Sequence, residues 1–598
     1  CIRLDSYIGF MMSKDIFLKI GLTLFVSIVL TACGGSSATL APPTVAPATA
    51  ATLSMSFTPT KTFRFTWTDL SDATYYKLKE AITVGSGYTS VDDNIASTGM
   101  ANSIDHVVPL YGRLNAKYIL QSCNSIGCTD SPEVFTSTKV AEMASSIGKF
   151  DGSSGYRVGN YFGASVSLSH DGYTMAVGAQ SNNSSATGIN GNQNTTGANT
   201  SGAVYIYTRS GTSWSQQAFI KASNTGIGDF FGRSVSLSDD GNTLAVGAPQ
   251  EDSNATGING DQTNNSVSFA GAVYAFTRSG STWSQQAYIK ASNTARADHF
   301  GNAVSLSGDG NTLAVGAFYE DSNVTGINGI QSDISGNNQG AVYTFFRTGT
   351  NWLQQAYIKA SDAGTHIHEN FGYSVSLSVD GNTLAVSNPM FKLYVFIRSG
   401  SSWSQQAYVK PSNWTNASDP LDLVGNSVSL SADGNTLAIG RKSDPSNATG
   451  INGDQTDSSA GGSGAVYIYT RSGTIWSQQA YIKASNVATS DQFGYSVSLS
   501  ADGNGLAVGA IGEDSNTTGI NSDQTNNSAS SSGAAYVFTR SGTSWSQQAY
   551  VKASDTGAGD LFGQSVSLSG DGSTLAVGAW ANNSTYSNSD RVGAAYIY

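Results

Sequence analysis

Charge is scarce in this chain. Only 12% of its 598 residues are charged, and 42 Asp and Glu against 30 Lys and Arg leave a net charge of −12. That balance excludes a general nucleic-acid binder, which needs Lys and Arg to neutralise phosphates. Glutamate is rarer still, with 7 Glu against 35 Asp. Asp belongs in turns and Glu in helices, so a turn-rich β protein is expected. There are four cysteines, Cys1, Cys33, Cys123 and Cys128, and no second Cys or His pair beside them, which excludes a zinc site of the paired kind. Gly-x-Ser-x-Gly, His-Glu-x-x-His and phosphate-cradling loops are all missing, so no enzyme constellation stands out. What is present is 67 Gly, 28 Tyr, 24 Phe and a 39% hydrophobic fraction. That is enough for a buried core and against wholesale disorder. Length alone suggests about four domains of roughly 150 residues, unless repeats override it.

An apolar run of about a dozen residues follows Lys14 and Lys19 and ends in small residues, the shape of a secretory signal. It falls short of the ~20 apolar residues of a membrane span. Leu30-Thr31-Ala32-Cys33, followed by Gly34-Gly35, resembles the bacterial lipobox. The resemblance implies that Cys33 becomes the first mature residue and carries lipid. Gly rather than Asp after it implies the outer membrane or cell surface. Residues 1–33 are then a lipoprotein signal peptide, with an upstream extension before Met11 or Met12. A plain secretory peptide with Cys33 incidental is the other reading. Residues 34–52, with three of the eleven prolines and no charge, read as an Ala/Pro/Thr-rich tether.

Residues 53–138 alternate apolar and polar side chains in short runs, the pattern of strands. Trp67, Tyr76, Leu114, Tyr118, Asn124, Gly127 and Ser131 resemble a fibronectin type III domain. The resemblance makes Trp67 a core tryptophan and Tyr118 a tyrosine-corner residue. Cys123 and Cys128 would flank a hairpin tip, and export permits a disulfide between them.

From 139 to 598 the chain repeats. Phe-Gly, or Val424-Gly425 in its place, begins at 162, 231, 300, 371, 424, 493 and 562, at intervals of 69, 69, 71, 53, 69 and 69 residues. Each copy holds four strand-like runs, with Asp-Gly as a tight turn between the first two. Four antiparallel strands in each of seven units predict an all-β fold with a seven-bladed β-propeller, because radial stacking buries both faces of every sheet. Phe-Gly, Leu-Ala-Val-Gly-Ala and Gly-Ala-Val-Tyr resemble the FG-GAP repeat of the integrin α-chain propeller in its bacterial surface-protein form. The last copy stops after its third strand. Residues 134–147, just before the first copy, are expected to supply the fourth.

In that family the turn before Leu-Val-Gly-Ala is often a calcium loop. Here it lacks the carboxylates and reads as a hairpin turn. A second loop, between strands two and three, offers an Asp-x-Asn-x-Thr-Gly spacing that places oxygens at alternating positions. It singles out Asp252 and Asn254, Asp321 and Asn323, Asp444 and Asn447, and Asp514 and Asn516. Calcium is one reading and a polar Asx-turn loop is the other. Six tryptophans, at 214, 283, 352, 403, 476 and 545, either line a glycan-binding rim or pack between blades. His366, His368 and Glu369 share one variable turn and have no partner motif. No cofactor is implied beyond calcium.

The reading that follows is a lipid-anchored surface protein made of tether, fibronectin-like spacer and propeller. Its partners are the membrane and an extracellular protein or glycan, and it is not an enzyme. A propeller enzyme acting on extracellular polysaccharide and a structural envelope component are the alternatives. Convergent Asp, Glu, His or Arg in an axial cleft would favour the enzyme, and a neutral or aromatic face would favour binding.

Overall fold

The computed structural model describes residues 44–83, 85–152, 159–364, 368–389, 392–411, 427–582 and 591–598. Cys33, the leader, most of the tether, His366 and Val424-Gly425 lie outside the described residues. Residues Val45–Tyr598 form one compact unit.

Its N-terminal part holds two antiparallel sheets. One contains Ser54–Thr58, Thr62–Thr68 and Ala101–Val107. The other contains Tyr75–Ala81, Thr89–Ala96, Lys117–Cys123, Cys128–Asp130 and Val134–Phe135. Alternation in Thr62–Thr68 sends Phe63, Phe65 and Trp67 inward, where they meet Tyr76 and Tyr118 in one core. The Tyr118 hydroxyl donates to Glu80 Oε1 at 2.6 Å, so it serves a buried carboxylate rather than the upstream backbone expected of a tyrosine corner. Arg113 binds the same carboxylate, and burial pushes Glu80 up while His106, Arg113 and Tyr118 together hold it down at about 2. Cys123 and Cys128 face each other across a hairpin and are joined in a disulfide.

Seven sheets follow. In the second, Ser234–Leu237, Thr243–Ala248, Ala272–Ser279 and Thr282–Ile289 pair in chain order, all antiparallel. Thr243–Ala248 is wholly buried. Asp240 builds the turn before it, accepting from Ser238 Oγ at 2.6 Å and from Asn242 N at 2.9 Å.

The first strand of each sheet lies against the first strand of the next, and the seventh lies against the first. Two devices repeat at these seams. The second serine of Ser-Val-Ser-Leu accepts from a leucine N–H of the following sheet. Ser167 Oγ takes Leu237 N, Ser236 takes Leu306 N, and Ser567 takes Leu168 N, each at 3.0 Å. Edge N–H groups that no strand covers are satisfied in this way. The two glycines of the motif meet backbone to backbone. A Cβ on Gly247 would lie 1.9 Å from Gly301 O, and one on Gly578 would lie 2.0 Å from Gly163 O. Leu-Ala-Val-Gly-Ala therefore needs its glycine for close approach, and the seam between sheets seven and one is built like the others.

The fourth strand of the seventh sheet is Gly148–Phe150, with Tyr596 opposite Lys149. The sequence expectation placed it within 134–147. Instead, Val134–Phe135 pairs inside the sandwich, and short helical turns occupy 136–138 and 140–146. The sandwich also touches this sheet. Lys61 Nζ donates to Ser573 O at 2.7 Å and to Thr574 Oγ1 at 2.6 Å, and the Tyr111 hydroxyl donates to Gly572 O. Burial pushes Lys61 down to about 7.

Candidate functional site

Each sheet has two ends. Phe-Gly, Gly-Ala-x and the long loop between strands two and three gather at one, and the Asp-Gly turns gather at the other. Where the first strands converge, a cavity of ≈ 270 Å³ opens at the Phe-Gly end. Its mouth is lined by the residue that follows Phe-Gly in successive copies: Ala164, Arg233, Asn302, Tyr373, Tyr495 and Gln564. Deeper in, the wall is serine and valine. No carboxylate and no histidine stands among the lining residues.

The rim around this mouth is aromatic and amide-rich. Phe318 packs on Tyr373 with ring centroids 5.6 Å apart, and Trp580 on Tyr161 at 4.6 Å. Lys442 Nζ sits 5.2 Å from the centre of the Tyr495 ring. Gln564 Nε2 donates to the Tyr495 hydroxyl at 3.3 Å, and Arg233 Nη1 to Gln180 Oε1 at 3.4 Å. Burial raises the Tyr373 phenol, and Arg233 nearby opposes that rise. At the opposite end a smaller space of ≈ 130 Å³ lies among the Asp-Gly turns, with His170 Nδ1 3.8 Å from Asp239 Oδ2.

The long loops are folded by their own hydrogen bonds. Asp252 Oδ1 accepts from Phe269 N at 2.8 Å, Asp321 Oδ1 from Asn338 N at 2.9 Å, and Asp514 Oδ1 from Ser531 N at 2.7 Å. Asn323 and Asn516 sit in the same loops, their backbone N–H groups donating to Asp333 and Asn526. Asn254 N donates to Asn264 O, and Asn447 N to Asp457. Among the described residues no three His, Cys, Asp or Glu side chains come together as a metal would need. The carboxylates of each loop are few and already accept from the loop's own N–H groups, Asp261 from Thr263 and Asp333 from Asn323 included, which does not fit a calcium ion that takes six to eight oxygens.

Asp444 differs from its supposed equivalents. It accepts from the Tyr481 hydroxyl at 2.7 Å and from Lys483 Nζ at 3.4 Å, and it is fully buried. In the second sheet those bonds belong to Glu251, with Tyr288 at 2.9 Å and Lys290 at 2.8 Å. Asp444 therefore stands at the Glu251 position, and Pro445 at that of Asp252. The buried Glu–Lys–Tyr cluster recurs at Glu320 with Lys359 and at Glu513 with Lys552. It is a structural clamp, and removing one partner of such a pair costs about 3–5 kcal/mol.

The tryptophans pack between sheets. Trp283 is 4% exposed, and its Nε1 donates to Gln217 Oε1 of the preceding sheet at 2.9 Å. Trp352 and Trp545 bond Gln286 and Gln479 in the same way. They lie away from the mouth. His368 Nδ1 is 3.0 Å from Asn338 Nδ2, and Glu369 binds Lys392.

The sequence profile of the FG-GAP repeat matches residues 214–276, 283–345, 476–538 and 545–598. Each match spans the fourth strand of one sheet and the first three strands of the next. The chain thus carries FG-GAP repeats in four places, within an all-β array of four-stranded antiparallel sheets. No curated protein matches it. Among solved structures, a chain of "Crystal Structure of Mitotic Checkpoint Complex" aligns at 13% identity over 75% of this chain and 90% of that one, with a TM-score of 0.39. So low a score carries no argument.

Proposed function

We propose that the seven sheets are the blades of a seven-bladed β-propeller and that the sandwich before them is a fibronectin type III-like spacer. The whole is a lipid-anchored surface protein that binds an extracellular protein or glycan without chemistry. The observation that carries this reading is the lining of the axial cavity. Serine, valine, alanine, tyrosine and amide side chains with one arginine offer surface and hydrogen bonds, and no carboxylate or histidine for general acid–base work stands among the described lining residues. A hydrolase on this scaffold would need paired carboxylates there. The integrin-like repeat adds a fold-level analogy to adhesion.

Two measurements test it. The full chain, extracted in detergent, is expected to bind saturably to neighbouring cells or to a glycan array and to release no reducing ends from polysaccharide. Reducing-end release, or the lack of any saturable binding, would sink the reading. Replacing the lipobox cysteine, Cys33→Ala, is expected to move the protein from the membrane pellet to the soluble fraction. A variant that stays with the membrane, beside a wild type that takes up no labelled lipid, would end the anchoring claim.

A further inference from the structure

Seven copies of one repeat form an internal comparison within a single chain, and it singles out one surface. Most positions are held constant. The channel-facing valine is Val166, Val235, Val304, Val375, Val428, Val497 and Val566 in all seven copies. Exposed framework positions are held too. A solvent-facing serine on the outer strand is kept at Ser215, Ser284, Ser404, Ser477 and Ser546 and changes only at Leu353. This exposed position is nearly uniform, although the start of the same strand varies through Ser213, Thr282, Asn351 and Ile475.

Against that background the Phe-Gly mouth is diverse. The residue after Phe-Gly takes five kinds of side chain in the six described copies: Ala164, Arg233, Asn302, Tyr373, Tyr495 and Gln564. The residue after Gly-Ala takes six kinds in seven copies, among them Gln180, Phe318, Lys442 and Trp580. Both positions meet at the mouth. The residue before Phe-Gly adds a third sign. Tyr161, Phe230, His299, Asn370, Gln492 and Leu561 all hold φ between 49° and 59°. That conformation costs a bulky residue about 1–3 kcal/mol and would be cheaper with glycine. The residue before Asp-Gly, at the opposite end, also varies, but there the side chains are mostly small, Gly308, Ala432, Ala501 and Gly570 among them. Large side chains kept at such a cost at the Phe-Gly mouth mark a surface that is selected for what it presents.

The chemistry of that surface defines its ligand. The described cations at the mouth are Arg233 and Lys442, and no carboxylate stands among the described lining residues, although the chain as a whole carries −12. The nearest buried acids, Asp229, Asp298 and Asp491, cap their own turns through the N–H groups of Gly226, Ala295 and Ala488. The half-buried Tyr373 stands near the Arg233 guanidinium, and Tyr495 shares the lining. The cavity of ≈ 270 Å³ is smaller than the roughly 300–1,000 Å³ that encloses a drug-sized ligand, so it takes an end group rather than a chain.

Resting on the binding reading above, we propose that the Phe-Gly mouth receives the terminal residue of an acidic glycan. The sugar ring lies on Tyr373 and Tyr495, and its carboxylate pairs with Arg233 as a charge-assisted, two-pronged contact.

The test titrates the full chain in detergent with tetragalacturonate, with cellotetraose as the uncharged comparison, by calorimetry. Tetragalacturonate is expected to bind, to weaken as salt rises, and to lose about tenfold or more in affinity in Arg233→Ala and in Tyr373→Ala. Arg233→Lys is expected to recover only part of the loss, since a point charge cannot form the fork. Leu353→Ser, on the outer strand, is expected to bind like the wild type. Equal affinity for cellotetraose, or an unchanged Arg233→Ala, overturns the proposal. So does saturable binding to cells or to a peptide that Arg233→Ala and Tyr373→Ala leave intact, which spares the adhesion reading while ending this one. A chain that binds neither cells nor any oligosaccharide ends both.

Discussion

Phe150→Ala is expected to lower the melting temperature of the whole array by roughly 3–5 °C, in one transition. Phe150 sits on the three-residue strand Gly148–Phe150 that completes the seventh sheet, opposite Ala595. It is 8% exposed, and its ring packs on Tyr207 at 5.0 Å and on Trp214 at 5.8 Å, both in the first sheet. One side chain therefore ties the fourth strand of the last sheet to the body of the first. Phe-to-Ala truncation in a core costs about 3–5 kcal/mol. The loss spreads because every sheet leans on two neighbours, so a weakened seventh sheet leaves two seams exposed. Phe135→Ala, half-buried in the sandwich, serves as the comparison and is expected to cost less. A Phe150→Ala variant that melts with the wild type would show that the strand does not hold the array together.

The second large effect is a fall in stability between about pH 4 and pH 7, the reverse of ordinary acid denaturation. Asp229, Asp298 and Asp491 occupy one repeat position, two residues before the phenylalanine of Phe-Gly. Burial pushes each of them up to about 7, with Glu251, Glu320 and Glu513 respectively adding repulsion. An acid raised in the fold is protonated there while it is ionised in the unfolded chain. Its contribution is complete below the unfolded value of 3.8 and is lost as pH rises through about 7. A carboxyl moved from 3.8 to about 7 is worth at most about 4 kcal/mol. The turn aspartates act in the opposite sense but in another window. Asp240 and Asp309 are held low by bonds from serine and asparagine that outweigh the upward push of burial, so their contribution disappears only below about pH 4. Lys221 is pushed down to about 7 by burial. Its contribution is complete above its unfolded value and is lost as pH falls toward 7, so recovery is expected on the alkaline side. Melting curves should peak near pH 4, and Asp229→Asn, Asp298→Asn and Asp491→Asn combined should flatten the slope. A wild type with no slope from pH 5 to 7, or a triple variant that keeps it, would refute the assignment.

The framework was readable because its signals are local and recur. Asp-Gly, Leu-Ala-Val-Gly-Ala and the fixed spacing each name an element, and repetition multiplies their weight. Three things were not readable in that way. Gly148–Phe150 is too short to show alternation, and only its partner Tyr596, more than four hundred residues on, makes it a strand. Asp444 was misaligned because its copy has Pro445 where others have aspartate, and pairing with Lys483 and Tyr481 is a three-dimensional fact. The mouth was present as variation after Phe-Gly and after Gly-Ala. These positions lie about 16 residues apart in the chain and become one surface only when the strands are placed side by side.

The equivalence of the seams also bears on how the chain counts. Six of the seven second strands present the same glycine to the next copy, Ser387 standing there in the fourth, and the second serine of Ser-Val-Ser-Leu offers the same hydroxyl from copy to copy. Apart from Ser387 in the fourth copy and Val424-Gly425 in the fifth, these shared seam groups do not record which copy stands on the other side. A folding chain can dock a copy one place out of order at little local cost, the characteristic error of repeat proteins. The seventh sheet alone is assembled from segments far apart in sequence, Gly148–Phe150 and Ala594–Ile597. Its pairing acts as a checksum, met only when all the intervening copies have been laid down once and in order.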